Sequence, residues 1–102
     1  MDRPIFYVEK ELFLREMMEG YAKEAKIAIY THDGAEDFTH LIEDLRPKAL
    51  LLDKQTVDTC LYESLIKFIP TFYTGQNPGQ NIFTKPLDGS MIFQEIRKKL
   101  EN

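Results

Sequence analysis

The chain has 102 residues, 43% hydrophobic and 29% charged, with a formal net charge of -4, which fits one domain with a modest core and carries no signature of disorder. The acidic balance argues against broad electrostatic binding of nucleic acid or an anionic membrane. No apolar run approaches the ~18 residues of a membrane span, no signal-peptide pattern precedes the first strand, and the single Cys60 cannot close an internal disulfide. The expectation is one cytoplasmic domain over 1–102.

Ile5-Phe6-Tyr7-Val8 reads as a buried strand that ends in the charged Glu9-Lys10-Glu11. From Leu12 to about Tyr21, Phe13, Met17 and Tyr21 recur at helical spacing with Leu14 and Met18 beside them, which predicts a helix with that face inward. Lys26–Tyr30 is a second strand and 31–34 a turn. Asp33 and Glu36 have capping-box spacing. Phe38, Leu41, Ile42 and Leu45 then mark the clearest helix in the chain, stopped by Pro47.

Ala49-Leu50-Leu51-Leu52 is an uninterrupted apolar run and reads as a central strand buried on both faces, ending in Asp53. In open α/β sheets the carboxyl edge of such strands is where ligands are placed. A polar loop, Lys54-Gln55-Thr56, leads to a third helix from about Asp58 to Phe68, with Asp58 as N-cap and Leu61, Leu65 and Phe68 inward. Thr71–Thr74 is a fourth strand, 75–80 a loop without apolar residues, and Asn81–Thr84 a fifth strand. A last helix follows, capped by Asp88 or Ser90, with Ile92, Phe93, Ile96 and Leu100 apolar and a basic end that suits the helix dipole.

This alternation predicts an α/β fold, a doubly wound parallel sheet covered by helices on both faces. One connection is anomalous. Roughly six residues join strands four and five, where a helical crossover needs a dozen or more. Either that crossover is an extended loop, or strand five is an edge strand reached irregularly.

Four short phrases fall at strand carboxyl ends: Glu9-Lys10, Asp53 after Leu50-Leu51-Leu52, Thr74-Gly75, and Lys85-Pro86 after Phe83-Thr84. Together, in that order, they resemble the receiver domain of response regulators in two-component signalling, over essentially the whole chain. The resemblance implies a flavodoxin-like five-stranded parallel sheet of order 2-1-3-4-5. It also implies Asp53 as phosphoacceptor, with Thr74 and Lys85 as its catalytic partners and a cis bond before Pro86. Mg²⁺ would be held by Glu9, Asp53 and the backbone carbonyl of Gln55. Phe72-Tyr73-Thr74-Gly75, with no helix predicted after it, further resembles the "FAT GUY" receivers, in which the family's fourth helix is reduced or missing. The partners implied are a histidine kinase or phosphotransferase, a downstream protein and a possible second copy of the chain. Any catalysis is limited to self-phosphorylation and dephosphorylation of Asp53.

The chemistry has its own logic. Phosphoryl transfer to a carboxylate is mostly positioning plus charge neutralisation, and it asks for an exposed, ionised acceptor. Lysine supplies a point charge, Thr74 a hydroxyl donor, and a hard cation needs few protein oxygens.

The chain also departs from the family. Lys10 stands where the second acid belongs, and its ammonium is expected to reach Asp53, weakening Mg²⁺ binding. The family's switch aromatic falls on Ile82, with Phe83 facing the other way. Glu9 reads equally as a solvated strand-end charge, and Asp53 alone as a loop cap. His32 and His40 read as surface residues, and Cys60 as a small core residue. A nucleotide-binding domain is disfavoured because neither glycine-rich phosphate motif occurs, and a Toprim-like nuclease because Asp53-Lys54-Gln55 lacks the second Asp. The remaining rival is a pseudo-receiver, a phosphorylation-independent interaction module, which Lys10 favours.

Overall fold

A computed structural model describes residues 2–101. The elements run β1 (Ile5–Val8), α1 (Leu12–Glu24), β2 (Ile29–His32), α2 (Thr39–Leu45), β3 (Ala49–Asp53), a 3₁₀ turn (Thr59–Tyr62), α3 (Glu63–Ile66), β4 (Thr71–Gly75), β5 (Ile82–Thr84) and α4 (Gly89–Glu101). The strands form one parallel sheet in the order β2-β1-β3-β4-β5, the flavodoxin-like arrangement expected. Every residue of β1 and β3 is buried. Strands covered on both faces cannot alternate polar and apolar residues, which is why β1, and β3 as far as Leu52, are continuous apolar runs.

Strand alternation divides the core in two. Ile5, Tyr7, Ala49, Leu51 and Phe72 face α1 and α4, meeting Met18, Ala22, Ile92, Phe93 and Ile96. Phe6, Val8, Leu50 and Leu52 face α2 and the segment after β3, meeting Phe38, Ile42 and Val57. Asp88 caps α4, its carboxylate accepting from the Met91 N–H at 3.1 Å.

The short connection between β4 and β5 is an extended loop over 76–81 with no helix in it. Its register explains how so few residues suffice. Tyr73 pairs with Ile82 and Gly75 with Thr84, so the chain leaving Gly75 steps back only two residue levels, roughly 7 Å, before β5 begins. Asn81 takes a left-handed φ of 57° at the return.

Several expectations give way. α1 runs to Glu24, and Lys26 is no strand residue: it sits just past the helix in a left-handed conformation, φ 57°, which delays β2 to Ile29. The buried α1 residues are Met18 and Ala22, while Phe13 is 74% exposed, because the helix turns its Ala22 side to the sheet and Phe13 lies a turn beyond the core. The Asp33–Glu36 capping box does not form. Asp33 accepts from the Ala35 N–H, and Asp37 accepts from the Thr39 N–H at the actual helix start.

The third helix shrinks to a 3₁₀ turn and one α-turn, and its apolar stripe is one residue out of the expected phase. Tyr62, Leu65, Ile66 and Ile69 pack inward, while Leu61 is 75% and Phe68 85% exposed. Tyr62 takes the core position by stacking on Phe38 at 4.5 Å, which turns Leu61 and Cys60 outward. Cys60 is therefore exposed rather than a core residue. Asp58 caps as expected, accepting from the Cys60 N–H at 3.1 Å. Among the described residues no helix is long and apolar enough to cross a membrane.

Candidate functional site

The same alternation that sorts the core also assembles a site. Tyr7, Leu51, Phe72 and Phe83 all face α1 and α4. Two residues further along each strand stand Glu9, Asp53, Thr74 and Lys85, so all four project from the same face just as the strands end. Register sets Glu9, Asp53 and Thr74 at one level, since Val8 pairs with Leu52 and Asp53 with Thr74, and because Thr74 pairs with Phe83 the Lys85 backbone stands two residues above them. The Lys85 N–H extends the ladder by donating to the Gly75 carbonyl at 2.9 Å. The Lys85–Pro86 bond that follows is cis.

The four side chains meet. Lys85 Nζ lies 3.0 Å from Glu9 Oε1 and 3.1 Å from Asp53 Oδ1. The Thr74 hydroxyl donates to Asp53 Oδ1 at 3.0 Å. Glu9, Asp53 and Thr74 are all fully buried, so Glu9 is not a solvated strand-end charge. Its Oε2 accepts from the Glu11 N–H at 3.1 Å, while Oε1 has only the Lys85 ammonium, without hydrogen-bond alignment. Two buried carboxylates need such a cation, since an unpaired buried charge is costly.

Burial works against the Lys85 charge, but the close approach of the Glu9 and Asp53 carboxylates outweighs it and holds the ammonium pKa above the usual lysine range. Beneath Glu9, the buried Tyr7 hydroxyl has no hydrogen-bond partner. Burial, followed by the Glu9 and Asp53 charges, pushes that phenol well above its usual range, so it stays neutral.

Asp53 is not the exposed carboxylate that the chemistry asks for. The β3–β4 pairing continues through it, and the loop behind it folds back: the Thr56 and Val57 N–H groups both donate to the Asp53 carbonyl, at 3.0 and 2.9 Å. That turn brings the Thr56 hydroxyl onto Asp53 Oδ2 at 2.7 Å. Gln55 sits exposed at the apex of the turn.

Lys10 also differs from expectation. Its side chain is exposed and forms no ion pair with Asp53; the cation on that carboxylate is Lys85. Lys10 acts through its backbone instead, the N–H donating to Thr56 Oγ1 at 3.0 Å and the carbonyl accepting from Arg15 at 3.0 Å. Arg15 also reaches the Glu9 carbonyl at 2.7 Å, clamping the β1–α1 turn. Sequence reasoning passed over Thr56 and Arg15. Thr56 is polar, three residues past a strand-end acid, which is the spacing at which a tight turn returns to that acid. Arg15 is the one basic residue between Leu12 and Ala22 in α1.

His32 is not a plain surface residue. Its Nδ1 accepts from the Gly34 N–H at 2.9 Å, and its ring packs against Phe38 at 5.3 Å. Phe83 faces the α1 side, as alternation requires, stacking on Phe72 at 6.3 Å.

No family model and no curated protein matches this sequence. Solved structures do. A response regulator receiver domain protein from Methanospirillum hungatei superposes with a TM-score of 0.82 at 14% identity, over 99% of this chain and 95% of that one. The chain has the receiver fold. The signal receiver domain of a DNA-binding response regulator from Colwellia psychrerythraea gives 0.80 at 15% identity, over 99% of this chain and 100% of that one. A chemotaxis response regulator from Vibrio cholerae gives 0.76 at 14% identity, over 96% and 98%. At such identities the likeness is one of fold. The departure of this receiver fold from plain αβ alternation is the helix-free loop between β4 and β5.

Proposed function

We propose that the chain is a receiver module of a two-component phosphorelay, which accepts a phosphoryl group on Asp53 from a histidine kinase or phosphotransferase and signals through protein contacts. The observation that carries this reading is the convergence on one buried carboxylate, at a sheet's carboxyl edge, of an ammonium at 3.1 Å and a hydroxyl at 3.0 Å. An acyl phosphate formed on Asp53 carries more negative charge than the carboxylate, and Lys85 and Thr74 are a cation and a donor already aimed there. The helix-free β4–β5 loop and the Phe72–Gly75 phrase support placement among the receivers with a reduced fourth helix.

Magnesium belongs to the same proposal. Among the described residues no three acidic, histidine or cysteine side chains gather into a metal cage. The donor set nevertheless fits an ion that keeps several waters, because such an ion needs one or two carboxylates. Glu9 and Asp53 would hold it with the Gln55 carbonyl, and the buried Glu9 Oε1 meets the Lys85 ammonium without an aligned hydrogen bond. A bound Mg²⁺ neutralises charge on the transferring group. Lys10 supplies no carboxylate beside Glu9, so the acidic ligands number two and affinity is expected to be weak.

With the fourth helix absent, partner contacts are expected on the first and last helices and on the loop over 75–80. The test is intact mass after incubation with a small acyl phosphate and Mg²⁺. The expected result is one phosphoryl addition, lost in Asp53→Asn and gained faster in Lys10→Asp. No addition in either the parent or Lys10→Asp would overturn the reading and leave a module that works by contact alone.

A further inference from the structure

The two oxygens of Asp53 are held differently. Oδ1 faces the ammonium of Lys85 and the hydroxyl of Thr74. Among the described residues Oδ2 has one partner, the hydroxyl of Thr56 at 2.7 Å. That hydroxyl cannot turn away freely. The Lys10 N–H donates to Oγ1 at 3.0 Å and so occupies one of its lone pairs. An ionised carboxylate only accepts, so the Oγ1 proton lies on Oδ2.

The methyl of Thr56 is held as well. It packs on Gly34, where an added Cβ would lie 2.6 Å from Thr56 Cγ2 and 3.2 Å from Val8 Cγ1. Gly34 is kept in its turn, at φ 81°, with its N–H donating to His32 Nδ1. Three elements thus converge on one side chain: the β1–α1 turn through its amide, the β2–α2 turn through a glycine, and the loop after β3 that carries Thr56 itself.

We propose that Thr56 is a latch on the attacking oxygen of Asp53, and that its release limits how fast the acceptor is phosphorylated. The inference rests on the reading of Asp53 as phosphoacceptor. In the step concerned, a lone pair of Oδ2 forms a bond to phosphorus. The bond from phosphorus to the donor's leaving oxygen breaks, and its electron pair departs with that oxygen; for a small acyl phosphate the leaving group is a carboxylate, and no proton is consumed. A short hydrogen bond from Thr56 ties up Oδ2 and covers it, so it must open before attack. Lys85 and Thr74 sit on the other oxygen and need not move. Thr56 is a positioning residue: it holds the reactant in a resting arrangement and leaves the charge-neutralising contacts intact.

The experiment compares the parent chain with Thr56→Val, which keeps the methyl shape and deletes the hydroxyl, and with Thr56→Ser, which keeps the hydroxyl. Phosphorylation by acetyl phosphate is followed by intact mass, with Asp53→Asn as the site control. Thr56→Val is expected to raise the maximal rate about tenfold, the factor that one hydrogen bond to an ionised oxygen represents, with the half-saturating donor concentration unchanged. Thr56→Ser is expected to react as the parent does. Amide exchange, read without donor or metal, is expected to show the Lys10 N–H exposed in Thr56→Val and protected in Thr56→Ser. A parent that is phosphorylated on Asp53 while Thr56→Val is no faster would overturn the latch and leave the receiver reading standing. Lys10 exchange unchanged by Thr56→Val would also overturn the latch. No addition to any of the three chains would overturn both.

Discussion

Lys85→Met removes the one cation shared by two buried carboxylates. Lys85 Nζ lies 3.0 Å from Glu9 Oε1 and 3.1 Å from Asp53 Oδ1, so those oxygens stand within about 6 Å of each other, and at an effective dielectric constant of about 20 their bare repulsion is about 3 kcal/mol. Breaking a buried pair from one side costs about 3–5 kcal/mol in all, a large share of the ~5–15 kcal/mol that holds a domain together. Methionine keeps the volume, so the loss is electrostatic. The assay is urea unfolding of parent and variant across pH. The Lys85 pKa is raised in the folded state, so its contribution is fully present below the usual lysine range and disappears as pH rises through the raised folded value. Parent and variant should therefore converge at strongly alkaline pH. A gap under about 0.5 kcal/mol at pH 7, the range of an ordinary surface substitution, would refute the reasoning, as would a gap that persists undiminished far above the lysine range.

Two further outcomes follow from packing. Gly34→Ala should destabilise the fold by more than about 1 kcal/mol, since alanine is strained at φ 81° and its Cβ meets Thr56 Cγ2 at 2.6 Å; Thr56→Ser, which removes that methyl, should restore part of the loss in a double-mutant thermal-melt cycle. Phe68→Ser should change stability by no more than about 0.5 kcal/mol, because Phe68 is 85% exposed; a larger loss in denaturant unfolding would mean that the ring is buried after all.

The strand skeleton was legible because buried parallel strands write themselves as unbroken apolar runs, and Ile5–Val8 and Ala49–Leu52 are such runs. Asp53, Thr74, Lys85 and Glu9 were legible as strand-end residues for the same reason: alternation places each two steps past a core residue of its own strand. The absence of a helix between strands four and five could be read from six residues without an apolar one among them. Helix phase was less legible. A period of 3.6 leaves neighbouring stripes a residue apart nearly equivalent, and only the stacking of Tyr62 on Phe38 decides that Leu61 and Phe68 face out.

Tertiary structure alone decided that Thr56 touches Asp53 and that Lys10 does not. Strand-end position says that a lysine and an acid share an edge; it does not say which lysine. Lys10 is next to Glu9 in the chain, yet its side chain leaves the strand on the opposite parity and ends in solvent, while Lys85 arrives from the far edge strand on the shared face. Thr56 reaches Asp53 Oδ2 only because two backbone N–H groups pull the following turn back onto the strand's last carbonyl. Periodicity records which face of an element is buried; contacts made across turns depend on where several chain segments converge, and no repeat in the sequence encodes that.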